Sequence, residues 1–194
     1  MTLQDLLRSR RSIRRFKPDP VPADMIERIL MTATHAPSAH NLQPWRFAIL
    51  KNPELKTQLA QALTGKMRLD MQAEGAAESD IEKRVSNSLR RIAEAPVIFL
   101  LCRDVTAIRL NTSEETVMNI QSTALAGLQL LLAAHAEGLG ANWICWPLYA
   151  PEETQSVLNL PKEWEPQAMI LVGYSNEEPK SKSLKPIMDL VEII

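Results

Sequence analysis

The chain has 194 residues, of which 45% are apolar and 23% charged, the length and balance of one globular domain with its own hydrophobic core. Its 22 basic and 23 acidic side chains leave a net charge of −1, with no basic excess to neutralise nucleic-acid phosphates, so nucleic acid is not an expected partner. Cys102 and Cys145 lie in apolar runs without paired spacing, which argues against a disulfide framework, and with His35, His40 and His135 they make no metal-ligand pattern.

The opening MTLQDLLRSRR is charged and lacks an apolar h-region, so no secretory signal is expected. No continuous apolar run reaches the ~20 residues of a bilayer span, so no membrane partner is expected either. The expectation is a cytoplasmic protein. Leu3, Leu6 and Leu7 mark one face of a first helix that leads into RSRRSIRRF (8–16), with five arginines in nine positions. Three prolines in KPDPVP (17–22) then forbid helix. Pro22 suits the first turn of a second helix, in which Met25, Ile26, Ile29, Leu30 and Ala33 recur at helical spacing up to Ala36 and Pro37. The loop SAHNLQP precedes a strand, WRFAILK (45–51).

Residues 54–63 read as helix, and 66–93 as a long polar segment, mostly helical, broken near Gly75. VIFLLC (97–102) has no polar alternation, the pattern of a strand buried on both faces. Thr112-Ser113-Glu114-Glu115 resembles a capping box opening a long apolar helix, which Gly138 closes. A helix apolar almost all round belongs at the centre of a fold or against a partner subunit. Strands at 141–146 and 168–173 flank a short helix at 151–158. IMDLVEII, at the end, reads as strand-like. The fold class is α+β: one domain over 1–194, with a mostly antiparallel sheet of four or five strands flanked by helices.

GLGAN (138–142) is not a dinucleotide fingerprint, because it follows a helix and has Trp143 where the third glycine belongs. The arginines have a plain structural reading as cations at a helix C-terminus. The loop PSAHNLQPWRF (37–47), with the amides Asn41 and Gln43 before a strand, could equally be a turn that presents nothing.

RRSIRRF followed some twenty residues on by APSAHNLQPWRF resembles the FMN-dependent nitroreductase family, and the likeness runs on through the apolar helix, GLGANWI and the lysine-bearing tail. KMRLDMQAEG…DIEKRV…AP (66–96) and GLGANWICWPLYAP…LNLPKEWEP…GY (138–174) are most similar to the reductase domain of the enzyme that builds the 5-deazaflavin coenzyme F-420, whose ligase half is absent here.

The resemblance implies a nitroreductase-like fold, an FMN cofactor and NAD(P)H as electron donor. It also implies a homodimer with shared flavin sites and ping-pong hydride transfer to a small-molecule substrate. It places Arg10 on the FMN phosphate and Arg11, Ser12 and Arg14 on ribityl and ring, where a guanidinium stabilises the charge of reduced flavin. Pro37, Ser38 and Asn41 reach the flavin of the other subunit. Asn87 bonds the ring's amide edge, and Arg90 stands where the family has lysine. Ile144 and Cys145 offer backbone N–H beside flavin N5. Lys182 and Lys185 complete the phosphate site, with Leu184 where many relatives have arginine.

No side chain is expected to act as catalytic acid or base, because the flavin carries the chemistry. Cys145, where many relatives have glycine, has no neighbouring histidine and reads as structural. Relatives that destroy FMN to make dimethylbenzimidazole usually carry Asp where Ser12 stands, which ranks that activity low. Two alternatives stay open: a broad nitro or quinone reductase, and a flavin-binding scaffold without turnover.

Overall fold

The computed structural model describes residues 2–194. Four antiparallel strands form one sheet in the order β1-β2-β4-β3: β1 Trp45–Leu50, β2 Val97–Asp104, β3 Gly140–Ile144 and β4 Trp164–Gly173. The long central pair β2–β4 is buried on both faces, which is why VIFLLC shows no alternation. Ile98, Leu100, Met169 and Leu171 point into one core layer, while Val97, Phe99, Ile170 and Val172 point into the other. The helices α3 (Pro53–Ala73), α4 (Glu78–Glu94) and α6 (Pro151–Leu158) cover the first layer. Covering the second are α2 (Ala23–Ala33) and α5 (Ser113–Ala136). A short α1 (Leu3–Ser9) buries no residue of its own.

Local chemistry sets most boundaries. Thr112 caps α5 by accepting from Glu115 N at 3.3 Å, but the expected capping box is only half made, because the Glu115 carboxylate turns to Arg109 N. Gly138 (φ +80°) ends α5 in a conformation that side chains resist, and Gly75 (φ +74°) separates α3 from α4. α3 runs on to Ala73, ten residues past the expected end at 63. α2 stops at Ala33 and the chain turns before Ala36. β3 ends at Ile144, two residues short of the strand expected to 146, and Trp146–Leu148 form a 3-10 turn, because Pro147 cannot donate to a ladder. Cys145, read as part of an apolar run, is exposed there.

α5 is long and apolar enough to cross a membrane by length and composition, and the fold uses it, as expected of a helix apolar almost all round, as a core helix with Ala126, Leu130 and Ala134 fully buried. One further expectation is corrected. The tail is not strand: residues 178–194 are exposed and carry only a 3-10 turn at Ile187–Asp189.

α5 lies close to the sheet at Gly127, where a Cβ would stand 2.3 Å from the Trp143 ring and 2.7 Å from Leu101 Cδ2. Alanine would gain about 1 kcal/mol of helix propensity, but relieving such overlap in a packed core costs about 1–3 kcal/mol. Gly127→Ala is therefore expected to lower the melting temperature by up to about 8 °C. A rise would show that the Trp143 ring yields freely.

Candidate functional site

The arginine segment leaves α1 and crosses the end of the β3–β4 pair. Ser12 bridges Ala141, and Ile13 N–H donates to Ala141 O at 3.0 Å. Phe16 bridges Ser175, and Lys17 N–H donates to Tyr174 O at 2.9 Å. The approach is close because Gly140 has no side chain: a Cβ there would meet Ile13 Cβ at 2.7 Å. Arg10, Arg11, Ser12 and Arg14 are thus fixed along one sheet end rather than free on a helix surface.

A cavity of about 220 Å³ opens beside them, lined by Ser9, Arg10, Arg11, His135, Gly140 and Ser175 among others. Among the described residues, neither Arg10 nor Arg11 pairs with a carboxylate. Arg11 also serves the plain structural role: Nη1 donates to Arg8 O at 2.6 Å and Arg10 O at 2.9 Å, closing the C-terminus of α1. Burial, then the charges of Arg10 and Arg11, hold the His135 pKa below its ordinary value.

At the other end of the segment, Arg14 and Arg15 meet the C-terminal turns of α4. Arg15 Nε donates to Glu94 at 2.7 Å, and Glu94 also lies 4.0 Å from Arg90. Arg91 faces Arg14 there, and its pKa is lowered by burial first and then by the neighbouring Arg14 and Arg90. The Glu177 carboxylate accepts from Arg14 N–H. Arg14 and Arg90 therefore belong to one electropositive cluster. Asn87 is less committed: its amide donates to Lys83 O at 2.8 Å and its carbonyl accepts from Arg90.

Ile144 ends β3, about 10 Å along the strand from Ala141, and Cys145 follows it at the start of the 3-10 turn. Trp143 Nε1–H donates to Cys145 Sγ at 3.1 Å. Beside them a second cavity, about 260 Å³, is lined by Met67, Met71, Arg84, Trp146 and Tyr149 together with residues of α3. The other cysteine, Cys102, is buried in the sheet, which pushes its thiol up to about 12 and leaves it inert.

Pro37, Ser38 and Asn41 are elsewhere. Their loop precedes β1, the opposite sheet edge from β3. It is anchored on α5 by Ala39 N–H donating to Ser122 at 3.1 Å. Ser122 and His135 are separated by about 20 Å along the α5 axis. The loop is also strained, with positive φ at His40, Asn41 and Gln43 (52°, 55° and 47°), a feature that clusters at functional sites. Ser38 Oγ and Asn41 Oδ1 brace it by accepting from the Gln43 backbone and side chain. Lys182 and Lys185 are exposed on the tail, three and six residues beyond Pro179, which lines the arginine cavity.

Sequence reasoning missed His135, Arg91 and Glu177. Of these, only Arg91 had a local signal, as the neighbour of Arg90. The other two reach the site through tertiary packing.

The sequence and fold match a known family. The nitroreductase family model covers residues 7–174, and the chain belongs to that family. It is 31% identical over 180 residues to a 5,6-dimethylbenzimidazole synthase of Rhodobacter capsulatus, covering 88% of this chain and 82% of that protein. It is likewise 31% identical to an NADH dehydrogenase of Thermus thermophilus, covering 87% and 84%. Among solved structures, a BluB-like flavoprotein from Clostridium difficile 630 superposes with a TM-score of 0.83 at 27% identity, covering 100% and 99% of the two chains. A nitroreductase in complex with FMN from Desulfovibrio desulfuricans gives 0.76 at 25% identity, covering 98% and 95%.

Proposed function

We propose that this chain is an FMN-dependent oxidoreductase acting as a homodimer, with NAD(P)H as donor and an oxidised organic molecule as acceptor. Bound FMN supplies the hydride chemistry, taking two electrons from the donor and passing them to the acceptor. The observation that carries the reading is the donor set of the sheet end. Arg10 and Arg11 border a cavity without a carboxylate partner among the described residues, as a phosphomonoester requires.

Arg10 holds the phosphate, with Lys182 and Lys185 brought to it by the tail. Arg11 and Ser12 line the ribityl chain. Arg14 and Arg90 set a positive field at the ring edge that accumulates charge, and Asn87 bonds the ring amide. β3 runs from beside Ser12 at Ala141 to Ile144, with Cys145 just beyond it, so one strand lies along an elongated ligand and leads to backbone N–H groups near N5. The cavity of Trp146, Tyr149 and Met67 beside Cys145 receives the acceptor.

Dimerisation is supported by the placement of the second motif. Ser38 and Asn41 lie at the opposite sheet edge from Ser12, too far away to share its flavin, and a second copy brings them to it. α5 supports the same reading: it leaves Val117, Leu125 and Leu128 exposed at 50%, 41% and 46% on a helix whose other side is core.

An unsaturated deazaflavin precursor is the finer substrate reading, supported by the likeness over 66–96 and 138–174; a broad nitro or quinone reductase is the alternative. The Rhodobacter relative favours a third, flavin fragmentation, against which Ser12 stands. Anaerobic titration of the flavin-loaded protein with NADH and NADPH, followed at the flavin absorbance, tests the reading. Bleaching that an oxidised acceptor reverses supports it. Flavin that the nicotinamides do not reduce would leave a scaffold, and flavin consumed in air would point to fragmentation.

A further inference from the structure

His135 belongs to no role described so far, yet it stands beside two arginines that have no carboxylate partner among the described residues. It lies in the last turn of α5 and lines the same cavity as Arg10 and Arg11. Its Nε2 is held 2.9 Å from Ser9 Oγ, the last residue of α1, which fixes the ring across the gap between the two helix ends. The other ring nitrogen, Nδ1, has no partner among the described residues.

The groups facing this ring can be named element by element. The N-terminal segment contributes Arg10 and Arg11, and α1 contributes the Ser9 hydroxyl. The turn into β3 contributes Gly138, Leu139, Gly140 and Ala141, and the segment after β4 contributes Ser175 and Pro179; neither adds a charged side chain to the cavity. On α5 itself, Glu137 is held by Arg28 at 2.8 Å. The imidazole therefore faces two cations and no anion.

We propose that His135 is a third donor to the phosphate of the flavin, becoming imidazolium when the phosphate binds and making retention of the phosphorylated cofactor pH-dependent. The inference rests on the FMN reading above. A second ring proton is opposed in the free chain by burial and by Arg10 and Arg11, which already lower the pKa. A phosphate set among the three reverses the balance, because it screens the arginines and attracts the imidazolium, as does the α5 C-terminus.

The sign follows. The pKa is low in the free chain and higher in the complex, so binding takes up a proton between the two values. The gain in affinity is fully present below the free chain's pKa and is lost as pH rises through the complex's. The phosphate's own second proton, with a pKa of about 6, acts in the opposite sense, so variants and a ligand without phosphate must separate the two.

The test is titration of the flavin-free protein with FMN and with riboflavin from pH 5.5 to 8, read by flavin fluorescence, with proton uptake measured calorimetrically in buffers of different ionisation enthalpy. FMN, but not riboflavin, is expected to bind with proton uptake. His135→Gln should weaken FMN ~3–10-fold near pH 6 and abolish the uptake, as expected for a partly exposed charge-assisted bond. His135→Lys, a permanent cation, should restore affinity and flatten the pH dependence, a result that a packing role cannot give. Ser9→Ala, exposed and outside the core, should reduce the uptake without disturbing the fold, and covers the case in which His135 variants fold poorly. If FMN binds to His135→Gln and Ser9→Ala with wild-type affinity and proton uptake, the inference is overturned and the FMN reading stands. If the wild-type chain binds no FMN, both fall.

Discussion

Arg10→Ala is expected to strip the protein of its flavin. A charge-assisted contact to an anion contributes about 1.5–3 kcal/mol, so the dissociation constant for FMN should rise ~10–100-fold at every pH, with riboflavin much less affected. Arg10 is suited to this role by placement as much as by charge. It is the first residue beyond α1, half-buried at the cavity mouth, and no carboxylate among the described residues competes for it. Arg11 would be a poorer choice for the experiment, because its guanidinium also closes α1 and its loss would mix binding with local unfolding. Arg10→Lys should recover part of the affinity, since lysine keeps the charge but not the two-pronged geometry. Wild-type FMN affinity in Arg10→Ala would sink the assignment of RSRRSIRRF to the phosphate.

Legibility in the sequence followed the range of the interaction responsible. β2 was readable because burial on both faces removes polar alternation from the strand itself. α6 was readable because Pro151 opens it and acidic Glu152 and Glu153 fill its first turn. The tail was misread because the apolar run IMDLVEII asks for a partner surface without supplying one, and no strand of this chain receives it. α5 was readable in both length and character, because the Thr112 cap and Gly138 mark its ends and its residues are apolar almost all round. At the site, the arginine segment and the 37–43 loop announced themselves by composition. His135 did not, since a histidine before a helix-ending glycine is unremarkable until α1 brings Ser9, Arg10 and Arg11 against it.

The second large effect concerns assembly. Val117, Leu125 and Leu128 leave an apolar stripe on α5, and the tail from 178 to 194 lies wholly in solvent with Leu184, Ile187, Met188, Leu190 and Val191 exposed. The exposed tail leaves its apolar side chains in need of another surface, and the outer edge of β1 on a second copy could receive it. Replacing Leu125 and Leu128 together with glutamate would place two charges in a face that must lose its water to pair, at a cost that surface apolar contacts cannot offset. That double variant is expected to sediment as a monomer and to lose nearly all bound FMN, because Ser38 and Asn41 can reach an Arg10–Arg14 segment only from another copy. Deleting residues 187–194 should act in the same direction, yielding flavin-poor monomer through loss of the tail's hold on its neighbour. The two readouts must fall together. A double variant that stays folded, sediments as a monomer and keeps its flavin would show that one chain suffices for the site, and the roles given to Pro37, Ser38 and Asn41 would go with it. A truncated chain that stays dimeric and yellow would confine the interface to α5.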